Sequence, residues 1–148
     1  MKLAAVLDAV DRIVPFELAE PWDSVGLQVG DPEAAVRAVL VALDPTAAAV
    51  DHAARRDCQA LLVHHPLLRE PLASVTADTH SGRLILHAAS KGIAVIAAHT
   101  NVDKAHGGLA DIVCGALNLE GVTPLAAARM DWSKLVGFVP ESDLDAVR

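Results

Sequence analysis

The feature that most constrains this chain is a pair of short apolar runs that stop dead on imidazoles. Ala60-Leu61-Leu62-Val63 runs straight into His64-His65-Pro66, and Ile93-Ala94-Val95-Ile96-Ala97-Ala98 runs into His99-Thr100-Asn101-Val102-Asp103. A continuous apolar run of this length bounded by turn residues is the signature of a strand buried on both faces, as in a parallel sheet covered by helices. In such sheets ligands sit outside the carboxyl ends of the strands. Both runs deliver their polar groups to that end, so the two sets can converge on one rim.

The rest of the chain fits this frame. Leu3, Val6, Leu7, Val10, Ile13 and Val14 recur at helical spacing up to Pro15, predicting an amphipathic helix over 2–14. Residues 21–30 show no clean period and read as a loop leading into a short extended piece, with Trp22 expected to plug the core. Val36 to Leu43 is a predicted strand. Asp44-Pro45 follows as a helix N-cap and first helical position, and the helix continues to Arg56. Residues 66–79 carry prolines without periodicity and read as a loop able to cover the rim. Ser81 is the expected cap of a helix ending at Gly92, and Gly107-Gly108 opens another helix bearing Leu109, Ile112, Val113, Ala116 and Leu117. A final strand is expected over Lys134–Val139. The alternation predicts an α/β fold: a mostly parallel sheet flanked by helices in three layers.

Bulk properties narrow the function. A chain of 148 residues suits one α/β domain that needs no disulfides. Cys58 and Cys114 have no C-x-x-C partner and read as two isolated buried thiols. Net charge is −7 with no basic cluster, which disfavours nucleic acid as a partner. No stretch has the length of a membrane span or the apolar core of a signal peptide, so a cytoplasmic location is expected.

The chemistry sits at the strand ends. Neutral imidazoles with carboxylates are ligands for zinc, iron, manganese or nickel, and the lack of thiolates argues against soft sulfur sites. Neighbouring side chains on a strand point to opposite faces, so His64 and His65 share a cavity only if the backbone turns, which Pro66 favours. Asp103 lies four residues beyond His99, within about 14 Å even fully extended, and can fold back over the rim. His99 either supports a ligand through its other nitrogen or caps the strand. Asp44 reads first as a helix cap, with a supporting role at the site as the alternative. His52 and His87, inside helical patterns, are expected to be solvated, His80 to be a hydrogen-bonded core residue, and His106 a loop residue of no consequence.

Four segments, in order and in register, resemble one family: Pro21-Trp22-Asp23-Ser24-Val25-Gly26-Leu27-Gln28-Val29-Gly30, Ala42-Leu43-Asp44-Pro45-Thr46, Val63-His64-His65-Pro66-Leu67, and Ala98-His99-Thr100-Asn101-Val102-Asp103 followed by Gly107-Gly108. The chain resembles the GTP cyclohydrolase 1 type 2 homologues, also called Nif-three-like proteins. The resemblance implies a dinuclear centre of divalent ions with His64, His65 and Asp103 as ligands, in a homohexamer. It also implies further ligands spaced His-x-x-x-Glu near the end of a longer chain, a spacing absent after Asp103 here. On this reading residues 1–130 are the α/β metal-binding domain, and 131–148 begin a second half completed by another copy or another polypeptide. Two functions follow: a metal-dependent hydrolase acting on a small molecule, or a metal-stabilised scaffold or regulatory interaction module without turnover.

Overall fold

The computed structural model describes residues 1–124; the strand expected over Lys134–Val139 and the whole segment 131–148 lie outside the described residues. Four strands form one sheet in the order β1-β4-β3-β2, with β1 (Gly26–Val29), β2 (Val39–Ala42), β3 (Ala60–Val63) and β4 (Ala94–Ala97). β2, β3 and β4 run parallel, in the register Ala42 to Val63 and Val63 to Ala97. β1 is the extended piece expected after Trp22, and it pairs antiparallel with β4.

The apolar runs are buried on both sides because their side chains alternate between two cores. Leu61, Val63, Val95 and Ala97 face one core with Val50 and Ala53 of α2 (Ala47–Arg55) and Leu84 and Ala88 of α3 (His80–Ser90). Ala60, Ala94 and Ile96 face the other, with Leu3 and Val6 of α1 (Leu3–Ile13). One helix on one face and two on the other give the expected three layers. No described helix is long and apolar enough to cross a membrane.

Local details depart from the sequence expectations for identifiable reasons. Helix α2 is capped by Thr46, whose hydroxyl accepts the Ala49 N–H at 3.1 Å, not by Asp44. Helix α3 is capped by Thr79 in the same way, not by Ser81, which lies inside it. At its other end Gly92 takes φ +66°, and the Gly92 and Ile93 N–H groups bond the Ala89 and Ala88 carbonyls, the ending expected there. Trp22 does not plug the core. It sits at the tip of a turn closed by Asp23 N–H to Glu20 C=O at 2.9 Å and is 69 % exposed. His52 is exposed as expected, but His87 is half-buried and reaches Asp51 of α2 at 2.9 Å, joining the two helices. Both cysteines are unpaired and half-buried rather than buried.

The return loop expected after His99 contains a five-residue helix, α4 (Thr100–Lys104). The following α5 (Leu109–Ala116) starts at Gly108, where a Cβ would lie 2.0 Å from the Val102 carbonyl oxygen, so only glycine lets the two helices meet this closely. α5 forms where the Gly-Gly signal places it, but buries none of its residues among those described.

Candidate metal centre

The rim is built by continuing β3 past its last ladder residue. The N–H groups of His64 and His65 bond the carbonyls of Ala42 and Leu43 at 3.3 and 2.9 Å, so the chain stays tied to β2 as it turns. The turn is then held from below by Gln28 of β1. Its side-chain oxygen accepts the N–H groups of Leu67 and Leu68 at 2.7 and 3.2 Å, while its Nε2 donates to the carbonyls of Ser24 and Leu68. This clamp lets both adjacent histidines serve one space. Their ring centroids are 5.0 Å apart, and His99 stands 5.0 Å from His64 and 5.9 Å from His65. One ring nitrogen from each of the three lies within 4.8 Å of the others.

His99 is the N-cap of α4, in a conformation (φ −116°, ψ −107°) set by its surroundings. Its N–H donates to Asn101 Oδ1 at 2.8 Å. Asn101, fully buried, in turn donates to the Val14 carbonyl at 2.7 Å and so anchors the turn to the end of α1. The His99 ring faces Asp23, whose side chain is 2 % exposed. Asp23 Oδ1 lies 3.0 Å from His99 Nδ1 and accepts the Ser24 N–H at 2.9 Å; Oδ2 accepts the Thr100 N–H at 3.1 Å and the Thr100 hydroxyl. Burial pushes the Asp23 carboxyl up, and the hydrogen bonds from Thr100 and His99 outweigh it, holding the group below its ordinary value and ionised.

The three imidazoles share one polarity. His99 Nδ1 faces the Asp23 carboxylate, His65 Nδ1 faces Asp44 Oδ1 at 2.7 Å, and His64 Nδ1 faces the Ala98 carbonyl oxygen at 3.2 Å. Carboxylates and carbonyls only accept, so each Nδ1 is placed to donate, and a neutral ring held this way keeps its Nε2 lone pair free. Three imidazoles that each bring a ring nitrogen within 4.8 Å of the others, each ring oriented by an acceptor, fit a divalent ion of the zinc, iron, manganese or nickel group when neutral.

Of the residues singled out in the sequence, the structure brings together His64, His65 and His99, with Asp44 in contact with His65. Asp103 lies in α4, one turn beyond His99 and half-buried, and is not part of the trio. His80 and His106 are exposed. Two residues carry roles the sequence reading did not assign. Asp23 was visible only as part of the Pro21–Gly30 motif, and Gln28 only as a polar residue inside an otherwise apolar strand. A cavity of about 500 Å³ opens beside the trio, bounded by Asp44, Thr46, His65, Leu68, Arg69 and His80 among others.

Comparison with known proteins agrees with this architecture. The chain is 39 % identical over 150 residues to the GTP cyclohydrolase 1 type 2 homolog of Mycobacterium tuberculosis, covering all of this chain and 39 % of that protein. It is 41 % identical over 124 residues to the Streptomyces coelicolor homolog, covering 84 % of this chain and 44 % of that one. The chain therefore spans about two-fifths of the length of these relatives. Among solved structures, a Bacillus cereus protein related to NIF3 superposes with a TM-score of 0.79 at 36 % identity, covering 85 % of this chain and 35 % of that one. Reduced HcgD from Methanocaldococcus jannaschii superposes with a TM-score of 0.77 at 31 % identity, covering 85 % and 50 %. The sequence model of the family described as Duf34/NIF3 (NGG1p interacting factor 3) matches residues 1–145, and the chain belongs to that family.

Proposed function

We propose that this chain binds divalent metal at the rim of its sheet and contributes that centre to hydrolysis of a small molecule. The observation that carries the reading is the convergence of the trio: His64, His65 and His99 each bring a ring nitrogen within 4.8 Å of the others, and each Nδ1 faces an acceptor of the protein. A packed core histidine would spend both ring nitrogens on the protein. We assign Asp103, one turn along α4 from His99, as the carboxylate that completes a four-ligand set for one ion. A second ion, as in a dinuclear centre, would draw its remaining ligands from another copy in a homohexamer or from another polypeptide. A divalent ion held here supplies Lewis acidity for activating water or polarising a substrate.

The chain's own residues do the rest. Gln28 fixes the turn that aims both histidines of the pair, and all three imidazoles are half-buried at the rim. The adjoining cavity has the size of a small-molecule site. The name of the curated relatives points to a purine nucleotide substrate, and we place the reaction in the cytoplasm.

Calorimetric titration of the metal-free protein with Zn2+ or Mn2+ tests the reading. Saturable binding near one equivalent per chain, lost in His64→Ala, is expected. Absence of binding, or binding indifferent to His64, would overturn it. Turnover is separable: if His65→Ala abolishes metal-dependent hydrolysis at an unchanged melting temperature, the centre is catalytic. If it only lowers the melting temperature, the ion is structural and the hydrolase part of the reading fails.

A further inference from the structure

We propose that the cavity beside the trio takes a phosphorylated small molecule, and that Arg69 is the residue that recognises its phosphoryl group. This names a substrate class for the hydrolytic reading above and rests on it.

Four donors line the cavity without an acceptor of their own. The Arg69 guanidinium, the His80 ring and the Ser81 hydroxyl bond no other described residue. The Thr46 hydroxyl accepts the Ala49 N–H, and its own proton has no acceptor among the described residues. The acceptors on the same wall are fewer. Asp44 is engaged by His65 at 2.7 Å, which leaves Glu70, and Glu70 forms no ion pair with Arg69. In a chain of net charge −7, Arg69 is the one Lys or Arg that lines this cavity, so attraction for an anion is concentrated there.

The number of donors selects the anion. A carboxylate offers two oxygens, which a single guanidinium fork fills. A phosphate monoester offers three and carries up to two charges, enough for the fork, an imidazole and the hydroxyls together. Leu68, Leu72 and Leu84 give the rest of the ligand an apolar wall, and His65 borders the same space, so a molecule seated there lies beside the rim.

The segment that carries Arg69 is pinned at both ends and unbonded between them. At one end Gln28 Oε1 accepts the Leu67 and Leu68 N–H groups. At the other, Arg83 Nη1 donates to the Ala77 and Asp78 carbonyls at 2.9 and 3.1 Å, and the Thr79 hydroxyl accepts the Gly82 N–H at 3.1 Å. Residues 69–75 make no hydrogen bond with any described residue, and all of them are exposed, Leu72 and Val75 included. Arg69 is the first residue past the Gln28 clamp and four residues from His65, within about 14 Å at full extension. A strap fixed at its roots and cheap to move in the middle can close on a ligand.

Phenyl phosphate tests the assignment, with phenylacetate and benzyl alcohol as its carboxylate and uncharged counterparts. Each is titrated by calorimetry into the full chain without metal, where no ion can take the phosphate in place of Arg69. Phenyl phosphate should bind saturably, be displaced by inorganic phosphate and move the Arg69 Nε–H resonance. Arg69→Gln should weaken it by at least about tenfold. Arg69→Lys should fall between, because it keeps the charge and loses the fork. Glu70→Gln should not weaken it, since it removes a neighbouring like charge.

Absence of phenyl phosphate binding, binding indifferent to Arg69→Gln, or phenylacetate bound as tightly overturns the proposal. So does an Arg69 resonance that stays in place, a result read on the wild type alone. The two readings fail separately: metal bound at the trio with no phosphate site sinks only the substrate class, whereas phosphate bound by a chain that takes up no metal sinks the metal reading.

Discussion

Two carboxylate–histidine pairs support the same rim, and they are built differently. Asp23 and His99 form a buried pair, with side chains 2 % and 21 % exposed, and the carboxylate is filled by donors from three residues. Asp44 and His65 form an open pair, 54 % and 37 % exposed. One is set into the joint between a loop and a helix; the other is partly open to solvent. The difference separates two jobs that look alike in a distance table, since a buried pair fixes both fold and ligand while an open pair biases only the ligand. The more exposed ring, which lines the open cavity, suits a site that must admit substrate, and the more buried ring suits holding the ion while it does.

Removing the rings themselves should have the largest effect, and should be similar for both pairs. His65→Ala and His99→Ala each delete a nitrogen donor, so divalent-ion affinity measured by titration should fall by more than the roughly 100-fold that marks the upper range for an outer partner. Unchanged affinity in His99→Ala would break the symmetry and leave His64, His65 and Asp103 as the ligand set. Next come the carboxylates, where the pairs should part. Asp23→Ala leaves the Thr100 and Ser24 N–H groups without their acceptor in a closed site, at about 1–3 kcal/mol for each buried group left unpaired. Asp44→Ala should cost about 0–1 kcal/mol, because its bond competes with water. Urea unfolding of the two metal-free variants measures both, and equal losses would show that exposure is not what distinguishes the pairs.

The asymmetry also marks where sequence reasoning reached and where it stopped. The strands around Leu61 and Val95 were legible because burial on both faces demands continuous apolar residues, and the histidines because they end those runs without transition. The turn that lets His64 and His65 share a space was inferred from Pro66, but its clamp, Gln28, was not, since a side-chain bond across 39 residues leaves no local pattern. Asp23 escaped for the same reason. Asp44 was misread because Asp-Pro satisfies the local rule for a helix start; Thr46, two residues on, satisfies it too, and the backbone places the cap there, freeing Asp44 for His65. Helix α4 is too short to show a period, so the element that positions His99 read as loop. Trp22 is apolar enough for a core, yet a turn that buries Asp23 presents its neighbour to solvent.

The smallest effect sharpens the comparison most, because the loop and α4 are joined twice. Besides the Asp23 weld, Lys104 Nζ pairs with Glu20 Oε1 at 2.7 Å on the surface, with both side chains more than a third exposed. Lys104→Ala removes this outer tether and leaves the inner one. Being exposed and screened, the pair should contribute about 0–1 kcal/mol at low salt, and less at 1 M, where the Debye length is about 3 Å. Metal affinity should not change. If tethering the loop were itself what holds His99 in place, loosening the outer tether would weaken the metal in proportion to the stability lost. If the Nδ1 acceptor is what matters, stability moves and affinity stays, and the two joints between the same segments are thereby shown to do different work.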